Sequence, residues 1–169
     1  RKYNAFGGLI LSASHNPGGP DEDFGIKYNV SNGGPAPEKY TDAFYQRSQT
    51  IDSYKTAKIE DVDLDHIGSQ QVGELIISII DPVTDYAELM QSIFDFNLLK
   101  QSISSGYITL LFDAMSAITG PYAKRILVDI LGAARESVIN AEPLEDFGGH
   151  HPDPNLAHAN EFAERMFSA

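Results

Sequence analysis

From residue 74 onward the chain switches repeatedly between two kinds of apolar pattern, and this alternation restricts its fold more than any other feature. Leu75 to Ile80 is a short apolar run, long enough for a buried strand and far too short to cross a bilayer. Asp81 follows as a helix cap with Pro82 at the start. Val83, Tyr86, Met90, Ile93 and Phe94 then lie on the face expected to turn inward. The pattern repeats: Tyr107 to Phe112 reads as strand, Pro121 to Leu131 as a helix stopped by Gly132, and Ser137 to Ala141 as the next strand. A strand, helix, strand order favours a parallel α/β sheet. A final helix, Leu156 to Phe167, carries Phe162, Met166 and Phe167 towards a core.

The first part of the chain is organised differently. Phe6 to Leu11 is an apolar run that ends in Ser, Asn, Pro and Gly, the signature of a buried strand running into a loop that holds Ser14. In Gly25 to Val30, Ile26, Tyr28 and Val30 alternate with Lys27 and Asn29, as in a half-buried strand. If this strand returns beside the first, Lys27 lies near Ser14. After the break Ser31 to Pro35, a helix is expected from Pro37, with Tyr40, Ala43, Phe44 and Arg47 on one stripe. Thr50 to Gly73 is polar and aperiodic, with an acidic cluster from Glu60 to Asp65, and reads as a long connection. The change of pattern near residues 74–85 suggests two domains, residues 1–80 and 81–169. The first has few core elements for its length and is expected to lean on sequence outside it.

Composition narrows the function classes. A chain of 169 residues suits one ordinary domain or two small ones and is expected to bury a real core. It has no cysteine, which excludes disulfides, thiolate metal sites and cysteine nucleophiles, and it carries no signal-peptide pattern; a cytoplasmic location is the default expectation. A formal charge of -12 argues against nucleic-acid partners. It does not argue against a small phosphorylated ligand, which backbone N–H groups and one or two cations suffice to hold.

Taken locally, Ser14 is a turn residue and His15 a surface ring next to it, with no Gly-x-Ser-x-Gly elbow or placed base to make a hydrolase of them. The longer stretches decide. Gly7 to Gly19, Asp23 to Asn29 and Ser31 to Glu38, followed by Ser92 to Phe96, Phe112 to Met115, Thr119 to Tyr122 and Glu145 to Asn155, resemble in the same order the α-D-phosphohexomutase superfamily, on its phosphoglucomutase branch. Ser12 and Asp113 to Ala117 are similar to bacterial members. The resemblance covers essentially the whole chain and implies an α/β fold with mixed-to-parallel sheets flanked by helices, built from parts of two phosphohexomutase domains.

It further implies an isomerase that interconverts glucose 1-phosphate and glucose 6-phosphate through glucose 1,6-bisphosphate. Ser14 would be the phosphoserine, Lys27 an active-site cation that neutralises the transferring group or assists proton transfer, and His15 a hydrogen-bonding neighbour of the phosphate. Mg²⁺ is the implied cofactor, bound by the Ser14 phosphate and by aspartates of an Asp-Gly-Asp-Gly-Asp-Arg loop. No such loop occurs in this sequence, so the chain alone is expected to be inactive. His150, His151 and Asp153 are metal-ligand types, but the resembling family has no metal there, and Pro152 and Pro154 stiffen the stretch, so a structural role is expected. Asp21, Glu22 and Asp23 read as solvated acids. Two other functions fit the same resemblance: a phosphorylated interaction or signalling protein of phosphoglucomutase type, and a mutase for another hexose phosphate.

Overall fold

The computed structural model describes residues 2–168. Contacts divide them into two units, the first holding residues up to Ser14 together with Asp23–Val62, the second His15–Glu22 together with the residues from Asp63 on.

In the first unit β1 (Gly7–Ser12) and β2 (Gly25–Val30) pair antiparallel, in a register running from Gly7 opposite Val30 to Ser12 opposite Gly25. The alternation of Ile26, Tyr28 and Val30 is thus realised as a strand, but the apolar run Phe6 to Leu11 is not buried as expected: its side chains and that of Ile26 are exposed, with no layer among the described residues covering them. Beyond β2 the chain folds back: Gly33 at φ 89° donates its N–H to the Val30 carbonyl at 2.8 Å, and the Ala36 N–H reaches the Tyr28 carbonyl at 2.9 Å. Helix α1 spans Glu38–Ser48, with Pro37 one residue before it at the cap. Its Phe44 ring meets Tyr28 edge-on, 5.3 Å away at 77°. No residue of α1 is buried.

The second unit begins with a hairpin that the sequence reading missed. β3 (Gly68–Val72) pairs antiparallel with β4 (Leu75–Ile79), and Gly73 takes φ 61° at the first position of the two-residue turn between them, where such hairpins need glycine. β3 was hidden because Ser69, Gln70 and Gln71 are polar; Ser69 pairs across the ladder with Ser78, hydroxyl to hydroxyl at 2.9 Å. Helix α2 (Pro82–Ile93) forms where expected. Asp81 caps it, accepting from the Val83 N–H at 2.9 Å and the Thr84 hydroxyl at 2.6 Å, and these bonds, the Thr84 one foremost, hold its carboxyl below its ordinary pKa. A further helix, α3 (Phe96–Ser104), is capped by Asp95, which accepts from the Leu98 N–H at 3.0 Å.

The expected parallel sheet is reduced to one short ladder, β5 (Phe112–Asp113) with β6 (Val138–Ile139). Its neighbours leave the ladder for physical reasons. The Ile108 N–H bonds the Ser102 carbonyl at 3.0 Å instead of a strand, and Asn140 turns to φ 47° straight after β6. The single helix expected over 121–131 is α4 (Thr119–Ala123) running into a wider π-helical stretch, Lys124–Ile130. The Leu131 N–H there reaches five residues back to the Ile126 carbonyl at 3.0 Å, and Gly132 at φ 79° ends it. The last helix, α5, covers Asn160–Phe167 rather than starting at Leu156. Asn155 holds the approach in a turn, its side-chain oxygen accepting from the Ala157 N–H at 2.9 Å.

The core is thinner than the length led one to expect. The buried apolar side chains described are Ala87, Ala114, Ala123, Leu131, Ala133, Ala141 and Ala159, with Pro152, and no described large side chain is fully buried. Alanines bury little area each, but they let backbones approach closely. At Gly120 the approach is closest: a Cβ there would overlap the Ala141 carbonyl. Tyr86 meets Tyr122 edge-on at 5.4 Å, and burial, with the Asp81 carboxylate close by, raises the Tyr122 phenol above its ordinary pKa. Of the side chains expected to turn inward, Tyr86, Ile93, Phe94, Met166 and Phe167 are exposed instead; their helices form, but no second layer among the described residues covers those faces.

Candidate functional site

The antiparallel return of β2 sets the geometry around Ser14. Residues opposite one another in such a ladder share a face. Lys27 stands opposite Ile10, and Ser12 on the same face stands opposite Gly25. The chain leaves β1 at Ser12, and two residues later Ser14 emerges with its hydroxyl 3.5 Å from the Lys27 ammonium. Both side chains are exposed. The loop is pinned at its root by the Ser14 N–H, which donates to the Ser12 hydroxyl at 2.8 Å.

Ser14 itself takes φ 65°, the left-handed region, which costs a residue with a Cβ on the order of 1–2 kcal/mol. Glycine would be unstrained there, so the strain makes Ser14 a candidate for a role of its hydroxyl. An exposed hydroxyl at a strand end with a cation beside it suits an oxyanion or a phosphoryl group, since positioning and charge neutralisation are what such transfers require. The sequence reading paired Ser14 with Lys27 and could not have known about the strained backbone. His15 is exposed, and its ring makes no hydrogen bond among the described residues.

Within the second unit, Gly18 on the loop after His15 has a packing reason. A Cβ on Gly18 would come within 2.8 Å of the Phe147 ring and 3.0 Å of the Glu145 carbonyl, so only glycine lets that loop lie against residues 145–147. Asp21, Glu22 and Asp23 are exposed, as solvated acids are.

The same unit has a cavity of about 310 Å³ lined by Asp113, Ser116, Asn140, Phe147, His150 and His158 among others. It opens at the carboxyl ends of β5 and β6, the usual place for a ligand crevice in α/β folds. Backbone strain gathers there: Met115 and Ser116 both take φ 52°, and Phe147 takes 53°. The Asp113 carboxylate organises the turn, accepting from the Met115 N–H and the Asn140 amide, each at 2.9 Å.

Beside the cavity the fold assembles three side chains that the sequence did not group. Ligand atoms of His151, Asp153 and His158 lie within 4.8 Å of one another. Spacing within residues 150–153 pointed to a stiff turn; that His158 comes back onto it depends on the Asn155 turn.

For the Mg²⁺ implied by the resemblance, the residues present do not make a binding shell. Mg²⁺ wants six oxygen ligands, and no group of three His, Asp or Glu ligand atoms converges on Ser14 among the described residues. Ser14 contributes one oxygen.

Residues 1–55 match the sequence profile described as phosphoglucomutase/phosphomannomutase, alpha/beta/alpha domain I. The chain is 61% identical over 168 residues to a phosphoglucomutase of Rhizobium radiobacter, covering 99% of this chain and 31% of the relative. It is 50% identical over 167 residues to the chloroplastic phosphoglucomutase of Arabidopsis thaliana, covering 99% and 27%. Among solved structures it is similar to the exocytosis-sensitive phosphoprotein pp63/parafusin, a phosphoglucomutase from Paramecium in its open form. That similarity has a TM-score of 0.88 and 44% identity, covering 94% of this chain and 30% of the other. The chain thus spans about a third of the length of the curated relatives it matches.

Proposed function

We propose that the chain, similar over nearly its whole length to phosphoglucomutases and over residues 1–55 to the phosphoglucomutase/phosphomannomutase domain I profile, belongs to that family and carries the phosphoserine of a phosphoglucomutase, Ser14. In the whole protein this serine interconverts glucose 1-phosphate and glucose 6-phosphate through glucose 1,6-bisphosphate. The observation that carries the reading is the strained, exposed Ser14 hydroxyl held 3.5 Å from the Lys27 ammonium.

The chemistry asked of these residues is simple. With a phosphoryl group on Ser14, the Oγ–phosphorus bond breaks as a sugar hydroxyl oxygen bonds to phosphorus, and the proton that hydroxyl gives up ends on the serine oxygen. The bisphosphate so formed returns its other phosphoryl group to the Ser14 oxygen. In both directions Lys27 neutralises charge on the phosphoryl oxygens and stabilises the serine oxygen as it leaves. His15, on the loop after Ser14, is a hydrogen-bonding neighbour of the bound phosphate. We assign Mg²⁺ as the cofactor of the whole protein, with the Ser14 phosphate as the one ligand this chain supplies; when bound, it adds positive charge at the phosphate. We read residues 1–80 as the end of one domain and 81–169 as part of the next, and the cytoplasm as the protein's place. The partner is a hexose phosphate.

The test is peptide mass spectrometry of the whole protein together with its Ser14→Ala variant. Phosphate is expected on Ser14, and the variant is expected to fold and to lose turnover. Phosphate found only elsewhere, or turnover kept by the variant, would sink the reading. Equal rates on glucose, mannose and N-acetylglucosamine phosphates would leave the serine chemistry standing and overturn the choice of sugar. The likeness to a phosphoprotein sensitive to exocytosis favours a second reading, a phosphorylated interaction protein, and Ser14 phosphate without turnover would be its sign.

A further inference from the structure

The cluster next to the cavity has no part in the phosphoserine chemistry, and three features of it need explaining. The first is convergence: His151, Asp153 and His158 bring two ring nitrogens and a carboxylate oxygen within 4.8 Å of each other. The two rings stack nearly parallel, 4.1 Å apart at 14°. The second is an orphaned atom. His151 Nδ1 is buried and has no hydrogen-bond partner, and a buried polar atom left so costs on the order of 1–3 kcal/mol unless something outside the chain satisfies it. The third is orientation. The Asp153 carboxylate is held from behind by Asn155, whose side-chain amide donates to it at 2.6 Å and whose backbone N–H donates at 3.2 Å, the kind of support that aims a ligating carboxylate.

We propose that His151, Asp153 and His158 bind a divalent transition-metal ion of the zinc class. Two imidazoles and one carboxylate suit zinc, cobalt or nickel, whereas Mg²⁺ takes oxygen ligands. Bonds of about 2.0–2.1 Å to a tetrahedral ion set ligand atoms roughly 3.4 Å apart; atoms already within 4.8 Å close on it when the two stacked rings turn out of their parallel arrangement so that each ring plane contains the ion. The formal charge of -12 adds a field that draws cations. Water fills the fourth position. The ion ties the stiff stretch around the buried Pro152 to the segment that enters α5 at Asn160, and so fixes one wall of the cavity that His150 and His158 line.

The experiment is a titration of the untagged chain with Co²⁺, read by visible absorption and by competition with Zn²⁺, with Mg²⁺ as a second competitor. Saturable binding of one ion per chain is expected, displaced by Zn²⁺ and not by Mg²⁺. His151→Gln, Asp153→Asn and His158→Gln should each weaken it by about tenfold or more. Of the two adjacent histidines, His150→Gln should leave it within about twofold of the parent, and Ser14→Ala should bind as the parent does, which separates this site from the phosphoserine. Imidazole NMR guards against unfolded variants: Zn²⁺ should move the His151 and His158 ring signals and leave His150 in place. Non-saturable binding, an equal loss with His150→Gln, or no loss with Asp153→Asn would overturn the proposal.

Discussion

At the scale of the residue, Ser14 combines a strained backbone with an exposed hydroxyl, and the two can be separated. Ser14→Gly removes the left-handed penalty of about 1–2 kcal/mol but loosens the unfolded chain by roughly 0.5–1 kcal/mol. It should therefore unfold at slightly higher denaturant, gaining up to about 1.5 kcal/mol, while losing the proposed phosphate acceptor; a clear loss of stability would mean that the hydroxyl holds the loop. Lys27 has its own signature. Beside an ammonium the dianionic form of a phosphoserine is favoured, so the second phosphate ionisation, near 6 when unperturbed, should lie lower in the phosphorylated protein than in its Lys27→Met variant. Phosphorus NMR against pH reads the difference, and identical titration curves would remove Lys27 from the site. The pairing of Ser14 with Lys27 was legible in the sequence because period-two alternation and a strand return suffice to predict it. The strain at Ser14 was not, because φ at one loop residue depends on where both strands end.

At the scale of the element, one cap, that of α2, was legible in the sequence, and packing was not. Asp81 and Pro82 announced α2, and the structure has that cap. The lowered pKa of Asp81 gives a pH dependence with a definite sign. The folded carboxyl holds its proton less tightly than the unfolded one, so its contribution is complete above the ordinary aspartate range and disappears as pH falls through the lowered value. Melting of the parent and Asp81→Asn should therefore differ at neutral pH and converge in acid; a constant difference would show that charge is not what the cap uses. Asp95 announced α3 in the same way, followed by apolar Phe96, Leu99 and Ile103, and went unread. β3 carried no apolar signal, since a polar strand is recognised only by its partner. Gly120 belongs to this scale too. Its missing Cβ is what seats α4 on the Ala141 carbonyl, so Gly120→Ala should cost about 1–3 kcal/mol by overpacking, measured by denaturant unfolding, against little change for Gly8→Ala, where the space is open and the backbone is not left-handed.

At the scale of the whole chain, the thin alanine core and the uncovered apolar side chains belong together. Leu9, Leu11 and Ile26 share one face of the β1–β2 ladder and are 70%, 65% and 62% exposed. A face like that is normally covered, and the chain spans about a third of its curated relatives. The chain alone should bind an apolar dye such as ANS and the whole protein should not; equal dye binding by both would mean that these faces stay open. What the sequence determined by itself is whatever acts over a few residues: helix caps, strand alternation, the glycine turns, and the ordered stretches by which the family is recognised. The tertiary structure alone decided how far the parallel ladder extends, which helix faces stay bare, that Ser14 sits in the left-handed region, and that His158 returns to His151 and Asp153. Each of these depends on residues far apart in sequence meeting in space, and no local pattern records such a meeting.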